Sequence, residues 1–244
     1  MPEILNREQL TLNHFYKRKV VVYQGKKGYR FSVDAPVLAD FLPTLPDQPA
    51  LEIGTGSGIV SLLALYKNKF SRVDAIELQP RLAAIARLNA SENGFKERLE
   101  IHEGNLEEIY SAFSNIPNIF SNPPYVKTGN GRLSPVEEIR LAKFEVSLTV
   151  KNLLEKARFM LAPRGSLYMI LPYDRFDEIT AYASRAGYWR RQVRRVFSFK
   201  DGPPDRFLIQ LTNYEAISEE IEPLIIFKDK GVYTEEMEKI FAGR

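Results

Sequence analysis

Asn122-Pro123-Pro124-Tyr125 is the stretch of this chain whose residue types best fit a defined chemistry. An exocyclic amine on adenine is a poor nucleophile because its lone pair is delocalised into the ring. An Asn side-chain oxygen and the Pro123 carbonyl can each accept one amine hydrogen and push the nitrogen towards tetrahedral geometry. Tyr125 would give the base a flat surface, a contact worth roughly 1–3 kcal/mol. The tetrapeptide therefore predicts chemistry at a planar nitrogen.

The same tetrapeptide also fits a simple turn, because Pro fixes φ and Asn readily starts turns. Its context favours a site. The preceding residues, 116–121, predict a short buried strand, which places Asn122 at the carboxyl end of that strand. Ligands of open α/β sheets bind outside the carboxyl ends of the strands.

A glycine-rich loop lies upstream, where Gly54, Gly56 and Gly58 stand between a predicted strand and a predicted helix. Without side chains the backbone can approach a ligand closely, and the helix start supplies free N–H groups. Glu77 ends the next predicted strand, where a carboxylate can accept hydrogen bonds from both ribose hydroxyls. Loop and acid together predict a nucleotide-like ligand, either S-adenosyl-L-methionine or NAD. The third glycine of the dinucleotide fingerprint is missing, and an ordinary strand-end acid is the alternative interpretation of Glu77.

Asn105 follows the third predicted strand of the sheet. It fits two roles equally well: a hydrogen bond to the adenine of a cofactor, or the cap of a helix that begins at Leu106.

The composition excludes several classes of chemistry. The 244 residues contain no Cys, which excludes disulfides, thiolate zinc sites, iron–sulfur clusters and a cysteine nucleophile. The two His residues, His14 and His102, are far apart in the sequence, so no metal site is predicted. With 44% hydrophobic and 27% charged residues, one globular domain with a short N-terminal appendage is expected. No apolar run long enough to span a membrane and no signal peptide are visible, so a cytoplasmic protein is expected; the oligomeric state stays open.

The net charge is only +3, but positive charge is concentrated in two segments without acidic residues. Either segment can meet phosphates, although a solvated face is the usual meaning of such runs. The first segment contains Lys17, Arg18, Lys19, Lys26, Lys27 and Arg30, and the second contains Arg185, Arg190, Arg191, Arg194 and Arg195.

Short apolar runs alternate with amphipathic ones from Ala50 onward, which predicts an α/β fold with a mostly parallel sheet and crossover helices. The last two strands are joined too briefly for a crossover, so a terminal antiparallel hairpin is expected. Residues 1–48 are predicted to form a basic arm or lid, with a small hairpin from 19–23 and 25–28 and a helix from Ala35; residues 49–244 form the main domain. The seven predicted strands are 50–53, 72–77, 99–102, 118–121, 166–171, 189–198 and 207–212.

Residues 122–135 and Ala142-Lys-Phe-Glu145 resemble the bacterial valine-tRNA adenine-N6 methyltransferases. Residues 28–34 and 233–237 extend the resemblance over nearly the whole chain. The resemblance implies a class I methyltransferase fold, S-adenosylmethionine as the cofactor, and N6-methylation of the adenine next to the anticodon. Two positions depart from the pattern: Asn118 stands where an Asp is expected, and Phe144 where a His is expected.

The resemblance also implies that residues 28–34 close over the methionine part of the cofactor and that residues 122–125 hold the target amine. The predicted catalytic residues are Asn122, Pro123, Pro124 and Tyr125. The predicted cofactor contacts are Arg30, Phe31, Ser32, Asp34, Glu52, Gly54, Gly56, Gly58, Glu77, Leu78, Asn105, Leu106 and Asn122. The predicted RNA contacts are Lys26, Lys27, Lys127, Arg132, Arg190 and Arg191.

Four other functions remain as alternatives. Protein-glutamine methyltransferases of release factors use the same tetrapeptide but usually carry an N-terminal helical domain, whereas the segment before Ala50 is basic and strand-like. Methylation of guanine N2 in ribosomal RNA ranks below methylation of release-factor glutamine. An NAD-dependent dehydrogenase leaves residues 122–125 unexplained, and a non-catalytic RNA-binding module gives no reason for the glycine loop.

Overall fold

The computed structural model describes residues 7–28, 30–123 and 149–243. The strands are β1 (Leu10–Phe15), β2 (Val20–Gly25), β3 (Ala50–Ile53), β4 (Val73–Glu77), β5 (Leu99–Glu103), β6 (Ile116–Ser121), β7 (Leu161–Pro172), β8 (Trp189–Phe199), β9 (Pro204–Thr212), β10 (Glu219–Asp229) and β11 (Val232–Tyr233). The helices are α1 (Asp34–Phe41), α2 (Ile59–Tyr66), α3 (Pro80–Glu92), α4 (Leu106–Ile109), α5 (Val150–Met160), α6 (Phe176–Arg185) and α7 (Glu235–Ala242). Short 3₁₀ turns lie at Arg7–Gln9, Tyr110–Ala112 and Tyr173–Arg175.

Within the described residues, nine strands form one sheet in the order β11-β10-β8-β9-β7-β6-β3-β4-β5. Strands β3 to β7 pair in parallel, β9 runs antiparallel to both β7 and β8, and β10 runs parallel to β8. All strands from β3 to β7 therefore end at the same side of the sheet. We call this side the carboxyl edge and the opposite side the amino edge.

The predicted α/β fold and all seven predicted strands are confirmed, but the strand count and the terminal position of the hairpin are wrong. Strands β10 and β11 extend the sheet beyond the β8–β9 hairpin. Two features hide β10 in the sequence: it begins with acidic residues, and Pro223 interrupts it. The register of β10 against β8 shifts between Ile221 and Leu224, and such a bulge is where a strand tolerates proline.

Helices cover both faces of the sheet, and each face has its own core. On one face the core includes Leu38 of α1, Leu62 of α2 and Met237 of α7. On the other face it includes Leu153 of α5 and Ile179 of α6. Helix α2 is apolar almost throughout, which suits a helix buried on all sides. The result is a three-layer sandwich in which helices pack on both faces of the sheet, so the loops at the ends of the strands are exposed.

The N-terminal hairpin differs from its prediction. Its strands are β1 and β2, and its turn is at residues 16–19 rather than between 23 and 25. Residues Tyr16, Lys17 and Arg18 of this turn have positive φ values of 50°, 56° and 69°. Helix α1 begins at Asp34, one residue before the predicted start. Val20 and Val22 are fully buried in the same core as α1 and α2, so the hairpin is docked on the sandwich. The division of the chain at residue 48 stays a prediction.

Among the described residues, no helix combines the length and the apolar character that a membrane span requires.

Candidate active site

A glycine-rich loop joins β3 to α2 at the carboxyl edge of the sheet. Gly54, Gly56 and Gly58 have positive φ values of 73°, 59° and 83°, which glycine adopts without strain. The Gly54 amide donates to the Ile76 carbonyl at 2.9 Å, which ties the loop to β4. A Cβ on Gly58 would lie 3.3 Å from Ala86 Cβ, whereas a Cβ on Gly54 would meet no atom within 4 Å. Gly58 therefore packs on α3, and Gly54 borders open space that a ligand can fill.

Glu77 ends β4 beside this loop. Its Oε2 accepts a hydrogen bond from the Gly56 amide at 2.7 Å, and its Oε1 accepts one from the Gln79 amide at 2.9 Å. A carboxylate at the mouth of the loop is a hydrogen-bond acceptor of the kind that ligand hydroxyls need. The predicted proximity of loop and acid is present in the structure.

Asn122 lies directly beside the loop. Strands β3 and β6 are neighbours, with Ile53 paired to Ser121 in register, and the Ser121 hydroxyl donates to the Ile53 carbonyl at 2.7 Å. The next residue of each strand is Gly54 on one side and Asn122 on the other. Asn122 is half-buried and Pro123 is buried. The first half of the tetrapeptide and the glycine loop thus share the carboxyl edge.

Two buried polar atoms at this edge lack a partner within the described part of the chain: Ser57 Oγ in the loop and Gln79 Oε1 after β4. Buried polar atoms are normally hydrogen-bonded, because an unmade bond is unfavourable. Together with the open side of Gly54, they fit a ligand that carries both hydrogen-bond donors and acceptors.

The segment before α1 also reaches the carboxyl edge. Asp34 is buried, and its Oδ2 lies 3.5 Å from Arg206 Nε of β9. The Ser32 hydroxyl accepts a hydrogen bond from the Asp34 amide at 3.2 Å. Phe31 packs against the first core, while Arg30 is exposed. Arg206 was not predicted as part of the site, because its link to Asp34 joins residues far apart in the sequence.

Comparison with known proteins decides the family. A family model described as the methyltransferase small domain matches residues 30–175, more than half of the chain. A tRNA1(Val) (adenine(37)-N6)-methyltransferase of Aliivibrio fischeri is 30% identical over 88% of this chain and 90% of its own length. The chain belongs to the methyltransferase small domain family. The resemblance found in the sequence is thereby confirmed, since relatives of 25% to 30% identity carry that name.

Two solved structures support the fold of this methyltransferase. A predicted O-methyltransferase from Agrobacterium tumefaciens superposes with a TM-score of 0.67 at 18% identity, over 86% of this chain and 96% of its own. TYW2 of M. jannaschii, solved in complex with AdoMet, gives 0.58 at 14% identity, over 88% and 90%. The methyl donor of the family, S-adenosylmethionine, is also the donor of this methyltransferase.

Glu52 of the methyltransferase has a supporting position below the loop. It is 1% exposed, and its carboxylate accepts hydrogen bonds from the Thr55 hydroxyl at 2.5 Å and from the Ser61 hydroxyl. Burial raises the pKa of Glu52 to about 7; the two hydroxyl donors lower it, and the charge of Glu77 raises it further. A direct contact of Glu52 with the cofactor stays a prediction, whereas its hold on the loop and on α2 is visible.

Asn105 caps α4, since its side-chain oxygen accepts a hydrogen bond from the Glu107 amide at 3.1 Å. Of its two predicted roles, capping is the one that the structure shows. Leu106 is buried in the second core, and Leu78 is half-buried just after β4. Their contacts with the cofactor stay predictions.

The predicted RNA contacts of the methyltransferase fall at different edges. Lys26 and Lys27 are exposed at the end of β2, where the Lys27 carbonyl lies 3.5 Å from Arg81 Nη1 at the start of α3. This end of the hairpin is at the carboxyl edge. Arg190 and Arg191 begin β8, which runs antiparallel to β9, so they lie at the amino edge. An RNA that contacts all four residues must extend across the molecule.

Two arginines of β8 form ion pairs in the folded protein, although no acidic residue lies near them in the sequence. Arg194 pairs with Glu236, and Arg195 Nη2 lies 2.9 Å from Glu220 Oε2. The acids come from β10 and α7, which lie far away in the sequence. The expectation that the arginines of this segment have no acidic partner is therefore wrong for Arg194 and Arg195. Pro124, Tyr125, Lys127, Arg132 and Phe144 lie outside the described residues.

Asp74, Glu100 and His102 bring potential metal-ligating atoms within 4.8 Å of one another on β4 and β5. His102 Nε2 lies 2.9 Å from Asp74 Oδ1, and Arg72 Nη2 lies 2.8 Å from Asp74 Oδ2. Each of these contacts is explained by an ion pair or hydrogen bond within the protein. His102 belongs to β5, as predicted from the sequence.

Proposed function

We propose that this methyltransferase transfers a methyl group from S-adenosylmethionine to N6 of an adenine in RNA, namely the adenine next to the anticodon of a valine tRNA. The curated relatives that cover most of the chain carry the name tRNA1(Val) (adenine(37)-N6)-methyltransferase, which supports the choice of substrate. The cytoplasm, where tRNA is modified and used, is the proposed location.

The observation that carries the proposal is the register of β3 and β6, which pairs Ile53 with Ser121 and so brings the following residues, Gly54 and Asn122, to the same edge. It places an amide that can hold an amine beside the loop proposed to hold the donor. S-adenosylmethionine, when bound, supplies a methyl group made electrophilic by the positive charge on sulfur. Asn122 then needs only to orient the nucleophile, because no strong base is required for the attack.

The roles of the chain's own residues follow from this placement. The Asn122 side-chain oxygen and the Pro123 carbonyl accept the two amine hydrogens and turn the nitrogen lone pair towards the donor. Tyr125, outside the described residues, is proposed to stack on the base, and Pro124 to fix the tetrapeptide's conformation. The target base must leave its stack, which is less unfavourable in a loop than in a duplex. The proton leaves to water after the transfer.

The donor site is proposed to combine the loop with its neighbours. Glu77 accepts hydrogen bonds from the ribose hydroxyls, and Ser57 and Gln79 offer the buried polar atoms that have no partner among the described residues. The segment before α1 covers the methionine end. The full set of proposed cofactor contacts is Arg30, Phe31, Ser32, Asp34, Glu52, Gly54, Gly56, Gly58, Glu77, Leu78, Asn105, Leu106 and Asn122.

RNA is proposed to bind along the carboxyl edge through Lys26 and Lys27, and through Lys127 and Arg132 from the segment after the tetrapeptide. Arg190 and Arg191 are proposed as a more distant contact, reached by a part of the tRNA that extends to the amino edge. Exposed cations such as these bind phosphates in a salt-dependent way.

Transfer of tritium from labelled S-adenosylmethionine tests the proposal. The purified enzyme is given bulk tRNA, ribosomal RNA and a release factor, and nucleosides of the labelled substrate are analysed. We expect label in tRNA as N6-methyladenosine. Label in the release factor would instead make the enzyme a protein-glutamine methyltransferase. N2-methylguanosine in ribosomal RNA would make it a guanine-N2 methyltransferase.

A further inference from the structure

A row of three aromatic rings crosses the sheet at the carboxyl edge. Phe227 of β10 is paired in register with Phe199 of β8 on one side and with Tyr233 of β11 on the other. Residues directly opposite each other on adjacent strands project from the same face. The ring centroids are 5.5 Å apart for Phe199 and Phe227, and 5.1 Å apart for Phe227 and Tyr233. The angles between adjacent ring planes are 32° and 21°, so the planes of the three rings are roughly parallel from one ring to the next.

The two outer rings are open to solvent and the middle one is anchored. Phe199 is 45% exposed and Tyr233 is 38% exposed, while Phe227 packs against the core. Phe241 of α7 supports the row from the side, with its ring centroid 4.8 Å from that of Tyr233. Single exposed apolar residues are ordinary on a protein surface, but adjoining ones held by a rigid support mark an interaction site.

Three exposed lysines adjoin the row in the sequence. Lys200, Lys228 and Lys230 are exposed, and within the described residues their ammonium groups make no ion pair. Acidic residues lie in the same segments: Asp201 is exposed, Asp205 accepts from the Ser198 amide at 2.6 Å, and Asp229 accepts from the Lys230 amide at 2.7 Å. None of these acids forms an ion pair with the three lysines among the described residues, so the lysines can meet an anionic partner.

The row lies on the same edge as Asn122. Strands β7, β9 and β8 separate β6 from β10, and neighbouring strands are about 4.8 Å apart. Phe199 is thus roughly 14 Å and Tyr233 roughly 24 Å from the end of β6 along the sheet. A few unpaired nucleotides next to a base at Asn122 can cover this distance.

We propose that Phe199 and Tyr233, supported by Phe227, form a stacking platform for unpaired bases next to the target base, while Lys200, Lys228 and Lys230 meet the phosphates between them. The inference rests on the proposed function. Exposed aromatic rings interleaved with cations are how proteins hold single-stranded nucleic acid, because every base has a stacking face. A duplex hides those faces, so the platform selects a loop over a stem. A second copy of the chain fits less well, because β11 offers an edge of only two residues.

The test removes the rings and keeps the apolar volume. Phe199→Leu and Tyr233→Leu are combined, and Phe159→Leu is the matched control, since Phe159 is 60% exposed on α5, on the other face of the sheet. Binding of a valine tRNA transcript and of a single-stranded RNA oligonucleotide is measured by fluorescence anisotropy, alongside KM and kcat for methyl transfer. Thermal melting checks that each variant is folded.

We expect the double variant to bind both RNAs about 10- to 100-fold more weakly, with KM for tRNA raised to match and kcat and donor affinity unchanged. Tyr233→Phe should bind like the wild type. Lys228→Ala with Lys230→Ala should reduce the slope of binding against salt, which the leucine variants should leave intact.

The platform is refuted if the double variant and Phe159→Leu bind RNA equally well. It is also refuted if the double variant abolishes self-association in sedimentation while RNA affinity stays the same, since a second copy then occupies the row. A wild-type enzyme that binds the oligonucleotide through these rings but methylates no RNA would refute the proposed function instead.

Discussion

Glu52 and Glu77 lie on the neighbouring strands β3 and β4, yet their carboxylates have different partners. Glu52 is enclosed and accepts hydrogen bonds from two hydroxyls, whereas Glu77 accepts from two backbone amides at the mouth of the loop. The sequence predicted the place of Glu77 from its position at a strand end. It did not predict the enclosure of Glu52, because that depends on hydroxyls brought together by the fold.

Glu77→Gln should weaken the affinity for S-adenosylmethionine by about 10- to 100-fold, because a charged acceptor for hydroxyl hydrogen bonds is lost. Glu52→Gln is the matched comparison and should weaken donor affinity less, because the Glu52 carboxylate is already held by the hydroxyls of Thr55 and Ser61. Isothermal titration calorimetry measures both. Equal losses in the two variants would contradict the proposed division of roles.

The pKa of Glu52 makes stability depend on pH. Burial raises this pKa from 4.5 to about 7. Between these values the folded protein keeps a proton that the unfolded chain has lost, so the contribution of Glu52 to the free energy of unfolding falls as pH rises through this window. Glu52→Gln should flatten the fall, measured by urea unfolding at several pH values. The exposed Glu97→Gln should leave the slope unchanged, and a slope unaffected by Glu52→Gln would refute this account.

At the scale of the elements, two asparagines of α3 attach the N-terminal hairpin. Asn89 is fully buried and bonds the Tyr23 amide at 2.7 Å, the Tyr23 carbonyl at 2.9 Å and the Ser57 carbonyl at 2.8 Å. Asn93 bonds the Val21 amide at 2.9 Å and the Val21 carbonyl at 2.7 Å. Asn89 therefore connects the hairpin to the glycine loop, whereas Asn93 bonds the hairpin and the Asn89 carbonyl of its own helix.

Asn89→Ala should lower the free energy of unfolding by about 2–4 kcal/mol, because it removes the partner of one buried and two partly buried backbone groups. It should also weaken donor affinity, since the Ser57 carbonyl loses its support. Asn93→Ala should destabilise the protein without that second effect. Chemical denaturation and donor titration of both variants give the comparison; donor affinities that match would show that Asn89 does not position the loop.

The elements that the sequence predicted well are those whose pattern is local. The buried strands β3 to β7 are apolar runs between helical patterns, and they appear within a few residues of their predicted bounds. Strand β10 and the first strand of the hairpin were missed. Each packs on a distant element: β10 pairs with β8, and Leu10 of β1 packs on Leu82 and Ile85 of α3. Partners of this kind leave no local signal in the sequence.

At the scale of the whole molecule, the two edges of the sheet separate the charged residues into two groups. Lys26 and Lys27 lie at the carboxyl edge, and Lys17 and Lys19 lie at the other end of the same hairpin. Arg190 and Arg191 lie at the amino edge. The sequence showed where charge accumulates along the chain but not to which edge it belongs, because the direction of each strand decides that.

Lys26→Glu with Lys27→Glu should weaken tRNA binding and reduce the slope of log affinity against log salt by about 1–2, as expected for two phosphate contacts. Lys17→Glu with Lys19→Glu makes the same charge change on the same hairpin and should have little effect. Filter binding over a range of salt concentrations measures both. Equal changes in the two variants would mean that net charge, rather than the carboxyl edge, governs binding.

The most direct test of the account is single-turnover methylation of a valine tRNA by the wild type and by Asn122→Ala, with donor affinity measured in parallel. Asn118→Ala is the matched control, because Asn118 is on the same strand and its amide donates to Gln48 Oε1 at 3.0 Å, away from the carboxyl edge. We predict that Asn122→Ala loses little affinity for S-adenosylmethionine, because the other proposed contacts hold the donor, and that it forms N6-methyladenosine orders of magnitude more slowly. Asn118→Ala should retain the wild-type rate. An unchanged rate in Asn122→Ala would contradict the assignment of the site.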